Sequence, residues 1–131
     1  MPYLIDSDST IDHLNDDPEA LALLDSLATD DLFISIVTYM EAFQGTLRDL
    51  DNSRIIKLRR FIEGVPILHF DEAVAERCAH IREDVRGGRV RANRRAHDLM
   101  IAATALEHGL TLVTRNVDDF EDIPGLQLHN A

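Results

Sequence analysis

Apolar residues fall along this chain in two rhythms: short unbroken runs, and longer stretches in which they recur every three or four positions. The first run, Tyr3-Leu4-Ile5, is continuous rather than alternating, as in a strand of a parallel sheet covered by helices on both faces. It predicts a central strand that delivers Asp6 to the rim of the sheet. The runs Leu32-Phe33-Ile34, Val65-Pro66-Ile67-Leu68-His69, Leu110-Thr111-Leu112-Val113 and Leu126-Gln127-Leu128-His129 predict four more strands. Pro66 confines the third strand to an edge position or to its own first residue.

Helical spacing fills the intervals. Asp8 or Ser9 can cap a short helix through Ile11 and Leu14, and Pro18 suits the start of the next, which carries Ala20, Leu23, Leu24 and Leu27. A helix leaves strand two through Phe43 and Leu47, and Asp51-Asn52-Ser53 opens another holding Ile55, Leu58, Phe61 and Ile62 as far as Gly64. Asp71 opens a helix with Val74, Cys78, Ile81 and Val85 on one face, stopping at Gly87-Gly88. The stretch from Arg89 to Arg95 reads as a basic loop. Leu99 to Leu106 is apolar all round, so that helix should be buried. Strands alternating with helices predict an α/β chain, a three-layer α/β/α sandwich around a mostly parallel sheet of about five strands. At 131 residues the expectation is one domain, 1–131.

Charge changes the picture next. A formal net charge of −11 argues against a broad basic surface gripping nucleic acid and favours cations or basic partners. The one cysteine, Cys78, reads as a core residue in a reducing compartment. No apolar run approaches the roughly 20 residues that span a bilayer, and no basic and apolar leader opens the chain, so a cytoplasmic location and no membrane partner are expected.

Four acids occupy equivalent places in this layout. Asp6 ends strand one, Glu41 lies little more than a turn into the helix after strand two, and Asp119 follows strand four. Asp98 starts the helix leading into strand four; that helix runs antiparallel to the strand, so its N-terminus lies at the strand's carboxyl end. Right-handed crossovers put all four on one edge of the sheet, where ligands of open α/β sheets bind. Each acid also has a purely structural reading. Asp6 to Ser9 can cap the first helix, Thr38 and Glu41 have capping-box spacing, Asp98 can be an N-cap, and Asp119 can belong to a turn.

Two carboxylates about 5 Å apart repel by roughly 3 kcal/mol at an effective dielectric near 20. A cluster of four therefore calls for a neutralising ion. All-oxygen donors select hard cations such as Mg²⁺ or Mn²⁺, whereas the six histidines show no zinc-ligand spacing and Cys78 stands alone. Such a site supports metal-assisted phosphodiester hydrolysis.

The segments Leu4-Ile5-Asp6-Ser7-Asp8, Ser35 to Glu41, Asp98 to Ala105 and Leu112 to Phe120, in this order and spacing, resemble the PIN-domain ribonucleases, in particular the VapC toxins of bacterial toxin and antitoxin pairs. The resemblance implies that Asp6, Glu41, Asp98 and Asp119 hold Mg²⁺ and that Ser7, Thr114 and Asn116 orient them. It also implies cleavage of structured RNA of the tRNA or ribosomal RNA class, restraint by a cognate antitoxin, and a homodimer. Two departures stand out: Asp8 replaces the asparagine usual in the family, and the segment before Asp98 is rich in arginine, with His97 immediately preceding the acid. Arg86, Arg89, Arg91, Arg94 and Arg95 lead to the metal edge, where they can contact RNA phosphates, contact an acidic antitoxin segment, or merely neutralise nearby acids.

Two rival readings remain open at this point. Asp6-Ser7-Asp8-Ser9-Thr10 also fits the DxDxT pattern of haloacid-dehalogenase-like phosphatases, with Asp6 as nucleophile, although the one lysine, Lys57, is far from the late acids in sequence. A non-catalytic interaction module is the other.

Overall fold

The computed structural model describes residues 1–130. Five strands, β1 (Tyr3–Ile5), β2 (Leu32–Ser35), β3 (Ile67–Leu68), β4 (Thr111–Thr114) and β5 (Leu128–Asn130), form a sheet in the order β3-β2-β1-β4-β5. Every neighbouring pair is parallel, with Tyr3 opposite Leu32 on one side and Thr111 on the other. β1 is therefore central, as its unbroken apolar run predicts, and the strand after Pro66 is at an edge.

Seven α-helices cover the sheet: α1 (Ser7–Leu14), α2 (Pro18–Ser26), α3 (Ile36–Thr46), α4 (Ser53–Gly64), α5 (Glu72–Asp84), α6 (Gly88–Arg94) and α7 (Ala96–Glu107). The alternation of β1 divides the core between two layers. Leu4 packs with Val74, Cys78 and Ile81 of α5 and with Leu99, Ala102 and Ala103 of α7. Tyr3 and Ile5 face the other way, onto Leu24 and Leu27 in and just after α2, with Phe61 and Ile62 of α4 alongside. Leu4 and Ile5 are fully buried, each stabilising the fold by about 1.5–3 kcal/mol. The three-layer sandwich is thus what was expected, and α7 is buried along almost its whole length.

Local boundaries differ from expectation where strand passes into helix without a loop. Asp6, not Asp8 or Ser9, caps α1, its carboxylate accepting from the Ser9 amide at 2.9 Å. Ser35, the last residue of β2, caps α3 by accepting from the Thr38 amide at 3.0 Å, so Thr38 lies inside the helix and makes no capping box with Glu41. Asp98 is no cap either: α7 starts at Ala96 and places it in the first turn. Finally, the expected basic loop is largely helical, forming α6. Its amphipathic signal is weak because among α6 residues only Ala92 is buried. What fixes the helix comes from outside: Arg82 of α5 donates to the Ala92 carbonyl at 3.2 Å and to the Asn93 side chain.

Candidate active site

The parallel register brings the carboxyl ends of β1, β2 and β4 to one edge, and the helix N-termini that follow them lie there too. Asp6 leaves β1 into this edge, 5% exposed. Burial pushes its carboxyl pKa up, while hydrogen bonds from Thr114 and Ser9 work in the opposite direction. Asp98 approaches from α7. Its carboxyl is pushed up to about 6, first by burial and then by the charges of Asp119, Asp8, Glu41 and Asp6. Four other acids thus act on Asp98, three of them the residues expected at this edge and the fourth Asp8.

Glu41 is positioned by hydroxyls. Ser7 Oγ donates to Glu41 Oε1 at 3.0 Å and also lies 3.0 Å from Thr38 Oγ1. A hydroxyl carries one hydrogen, so Thr38 must donate to Ser7, and Ser35 in turn donates to Thr38 at 3.3 Å. The result is a polarised chain, Ser35 to Thr38 to Ser7 to Glu41, whose three hydroxyl residues are buried. It joins α1 to α3 and holds Glu41 Oε1 against Ser7 of α1. His97 adds a neighbour on the other side, with Nδ1 3.6 Å from Glu41 Oε1.

Asp119 sits in a 3₁₀ turn (Val117–Asp119), its amide donating to the Asn116 carbonyl at 3.0 Å. The turn and the approach to Asp98 are compatible, so the structural and functional readings of this residue do not compete. Thr114 Oγ1 accepts from the Asn116 amide at 3.0 Å, and Asn116 Nδ2 donates to Asp8 Oδ2 at 3.1 Å. Of the three residues expected to orient the four acids, Ser7 touches Glu41 and Thr114 touches Asp6, whereas the Asn116 side chain touches Asp8, which is not one of the four.

The donor set is suited to a hard divalent cation: only carboxylate oxygens converge, and their repulsion is already visible in the raised Asp98 pKa. Among the described residues, no three acid, histidine or cysteine side chains are grouped closely enough to hold a metal ion as they stand. The acids therefore share a field rather than a finished coordination shell.

The arginines separate into distinct roles. Arg95 is committed: its guanidinium makes two 2.8 Å bonds to the Asp122 carboxylate and a 2.6 Å bond to the Asp119 carbonyl. Asp122, with its side chain 6% exposed, also accepts from the Arg86 amide at 3.1 Å, and these partners hold its carboxyl well below the usual range. Arg91 and Arg94 line a cavity of about 560 Å³ that reaches Asp98 and Asp119, whereas Arg89 is exposed and outside that lining. Sequence reading did not find Asp122 or the Ser35–Thr38 part of the hydroxyl chain. Buried hydroxyls at an apolar strand-to-helix junction were the available signal for the second; no sequence signal pairs Asp122 with Arg95.

Residues 3–126 match the PIN domain family. The chain is 28% identical over 131 residues to a tRNA(fMet)-specific endonuclease VapC of Salmonella typhimurium, covering 99% of this chain and 98% of that protein. It is 36% identical over 100 residues to ribonuclease VapC1 of Rickettsia felis, covering 73% of each. Among solved structures, a toxin-antitoxin complex from Klebsiella pneumoniae superposes with a TM-score of 0.75 at 28% identity, covering 95% of this chain and 94% of that one.

Proposed function

The chain belongs to the PIN-domain family, and from that premise we propose that it is a VapC-type toxin, an endoribonuclease that hydrolyses RNA phosphodiester bonds with a divalent cation held by carboxylates. One observation supports this reading: Asp119, Glu41 and Asp6, from three other segments of the chain, lie close enough to Asp98 for their charges to add to the effect of burial in raising its carboxyl pKa. Asp6 and Asp98 are the principal ligands, Glu41 and Asp119 complete the set, and Mg²⁺ or Mn²⁺ is the ion their chemistry selects. A bound cation supplies Lewis-acid chemistry, lowering the pKa of a water and offsetting charge that develops on the phosphate.

The chain's own residues do the rest. Ser7 holds Glu41 by Oε1, with Thr38 and Ser35 behind it, which limits the conformations open to that carboxylate. Hydrogen bonds from Thr114 and Ser9 lower the Asp6 carboxyl pKa against the burial that raises it. Asn116 secures Asp8, whose charge the family's usual asparagine lacks, so this rim is more acidic by one and its cation affinity is correspondingly higher. The substrate is RNA of the tRNA or ribosomal RNA class, consistent with the tRNA(fMet) specificity named for the Salmonella relative. A cognate antitoxin restrains the enzyme, as the Klebsiella complex suggests, and the toxin pairs with itself. No described helix is long and apolar enough to cross a membrane.

The phosphatase alternative is not favoured: the chain matches a different family along most of its length, and Lys57 is paired with Asp16 at 2.5 Å on α4 rather than facing Asp6. An RNA-cleavage assay tests the reading directly. Wild type should cut in Mg²⁺ or Mn²⁺ and stop on addition of a chelator. Asp98→Asn should lose at least about 100-fold in rate, as loss of a metal ligand or its close support does, while its circular dichroism stays that of the wild type. Cleavage that persists in chelator removes the metal mechanism.

A further inference from the structure

The cavity beside the rim is lined by residues of both signs, Asp98, Asp118 and Asp119 together with arginines of α6 and its flanks. Arg95 is held by Asp122 and the Asp119 carbonyl, and Arg86 lies 3.6 Å from the same Asp122 carboxylate. Arg91 and Arg94 line the cavity and have no acidic partner within ion-pair distance among the described residues. In a chain of net charge −11, two unpaired guanidiniums facing one cavity next to an acidic edge are a local reversal of sign.

Gly87 shows that the position of Arg91 is built into the backbone. It has φ of +88°, and a Cβ placed on it would stand 2.3 Å from Arg91 Cδ and 2.8 Å from Arg91 Cβ. Only a glycine lets the Arg91 stem lie across the turn that starts α6. Gly88, at φ +66°, has open space where its Cβ would be, so the close approach belongs to Gly87 alone.

We propose that this cavity is a second phosphate subsite, in which Arg91, with Arg94 beside it, binds the backbone phosphate next to the one being hydrolysed. The inference rests on the ribonuclease reading and adds how an acidic protein engages RNA. A planar guanidinium suits a phosphate because it offers paired N–H donors. The ligand must be anionic at the cation-bearing rim and again at the arginines, a short distance along the same chain. A polynucleotide repeats one phosphate per nucleotide and meets both demands, which makes RNA a better occupant than an acidic protein segment.

The test uses the full chain and two labelled RNAs, a dinucleotide with one phosphodiester and a trinucleotide with two. In Mg²⁺ the wild type should show about tenfold higher kcat/KM on the trinucleotide, the value of one good charge-assisted contact. In Arg91→Gln/Arg94→Gln that ratio should fall to near one. Gly87→Ala should lower the ratio in the same direction, whereas Gly88→Ala, with a comparable backbone penalty and no side chain to displace, should keep it. An unchanged ratio in the arginine variant overturns the subsite.

A cleavage-independent measurement separates this from failure of the ribonuclease reading. Anisotropy of the trinucleotide in chelator should show weaker binding by the arginine variant, and the slope of log affinity against log salt should flatten by about 0.7, the value for one neutralised phosphate of a single strand. An identical slope for variant and wild type rejects the proposal even if RNA is cut, and a flattened slope supports it even if no RNA is cut. Polyglutamate that binds as tightly as the trinucleotide and is lost equally in the variant would instead make the cavity a protein-docking site and overturn its assignment to RNA.

Discussion

Asp98 concentrates the electrostatic cost of the rim. Its carboxyl is pushed up to about 6 from 3.8, a shift equivalent to about 3 kcal/mol between its protonated and ionised forms. Because the folded pKa exceeds the unfolded one, this contribution to stability is fully present below about 4 and is lost as pH rises through about 6. His13, whose pKa burial lowers, acts with the opposite sign in the upper part of that window, so the wild-type profile alone does not isolate Asp98. Comparison with Asp98→Asn does. In chelator, the variant should be the more stable protein at pH 7.5, by up to about 3 kcal/mol, and the two melting curves should converge towards pH 4. Mg²⁺ at pH 7.5 should raise the wild-type Tm and leave the variant nearly unmoved. Parallel Tm profiles across pH would show that Asp98 does not feel its neighbours.

At the scale of elements, α6 and the segment after β4 depend on one ion pair. Arg95 ends α6, and its bonds to Asp122 and to the Asp119 carbonyl tie that end to the turn bearing Asp119. Asp122→Ala leaves a half-buried guanidinium without its carboxylate and should cost about 2–3 kcal/mol in denaturant unfolding at pH 7. The depressed Asp122 pKa means that this support is present above about 4 and fades as pH falls through the lower folded value. Hydrogen exchange should therefore quicken in α6 of the variant, and wild type should show the same quickening only in strong acid; unchanged exchange would show that α6 stands without the pair. The same elements show why part of the fold was readable from residues and part was not. β1 and α7 announce themselves as unbroken apolar runs and α5 as a stripe at helical spacing, and these residues are the ones that fill the two core layers. α6 does not, because its stability comes from Arg82 and Asp122, contacts with no trace in local spacing. The Ser35 cap was hidden because that residue also ends its strand, whereas Asp6 stood among the residues read as able to cap the first helix. Topology alone was enough to expect Asp6, Glu41, Asp98 and Asp119 at one edge, whereas Asp122 needed the folded path of the chain.

For the molecule as a whole, β1 is the element on which both layers and the rim depend. Leu4→Ala opens a cavity between β1, α5 and α7 and should cost about 2–5 kcal/mol, enough to lower Tm by roughly 10 °C or more in a chain of this size. Loss of RNA cleavage in that variant should track its unfolded fraction, since Leu4 packs in the apolar core with α5 and α7. The order of strands also sets a timetable for synthesis. Tyr3 precedes Thr111, which supplies one of its two flanking strands, by more than a hundred residues, so the middle of the sheet stays open until β4 has left the ribosome. Asp119 emerges later still. A nascent chain that stops short of β4 thus has neither a closed sheet nor a full set of acids, and no carboxylate edge is assembled before that strand and the turn after it have been made.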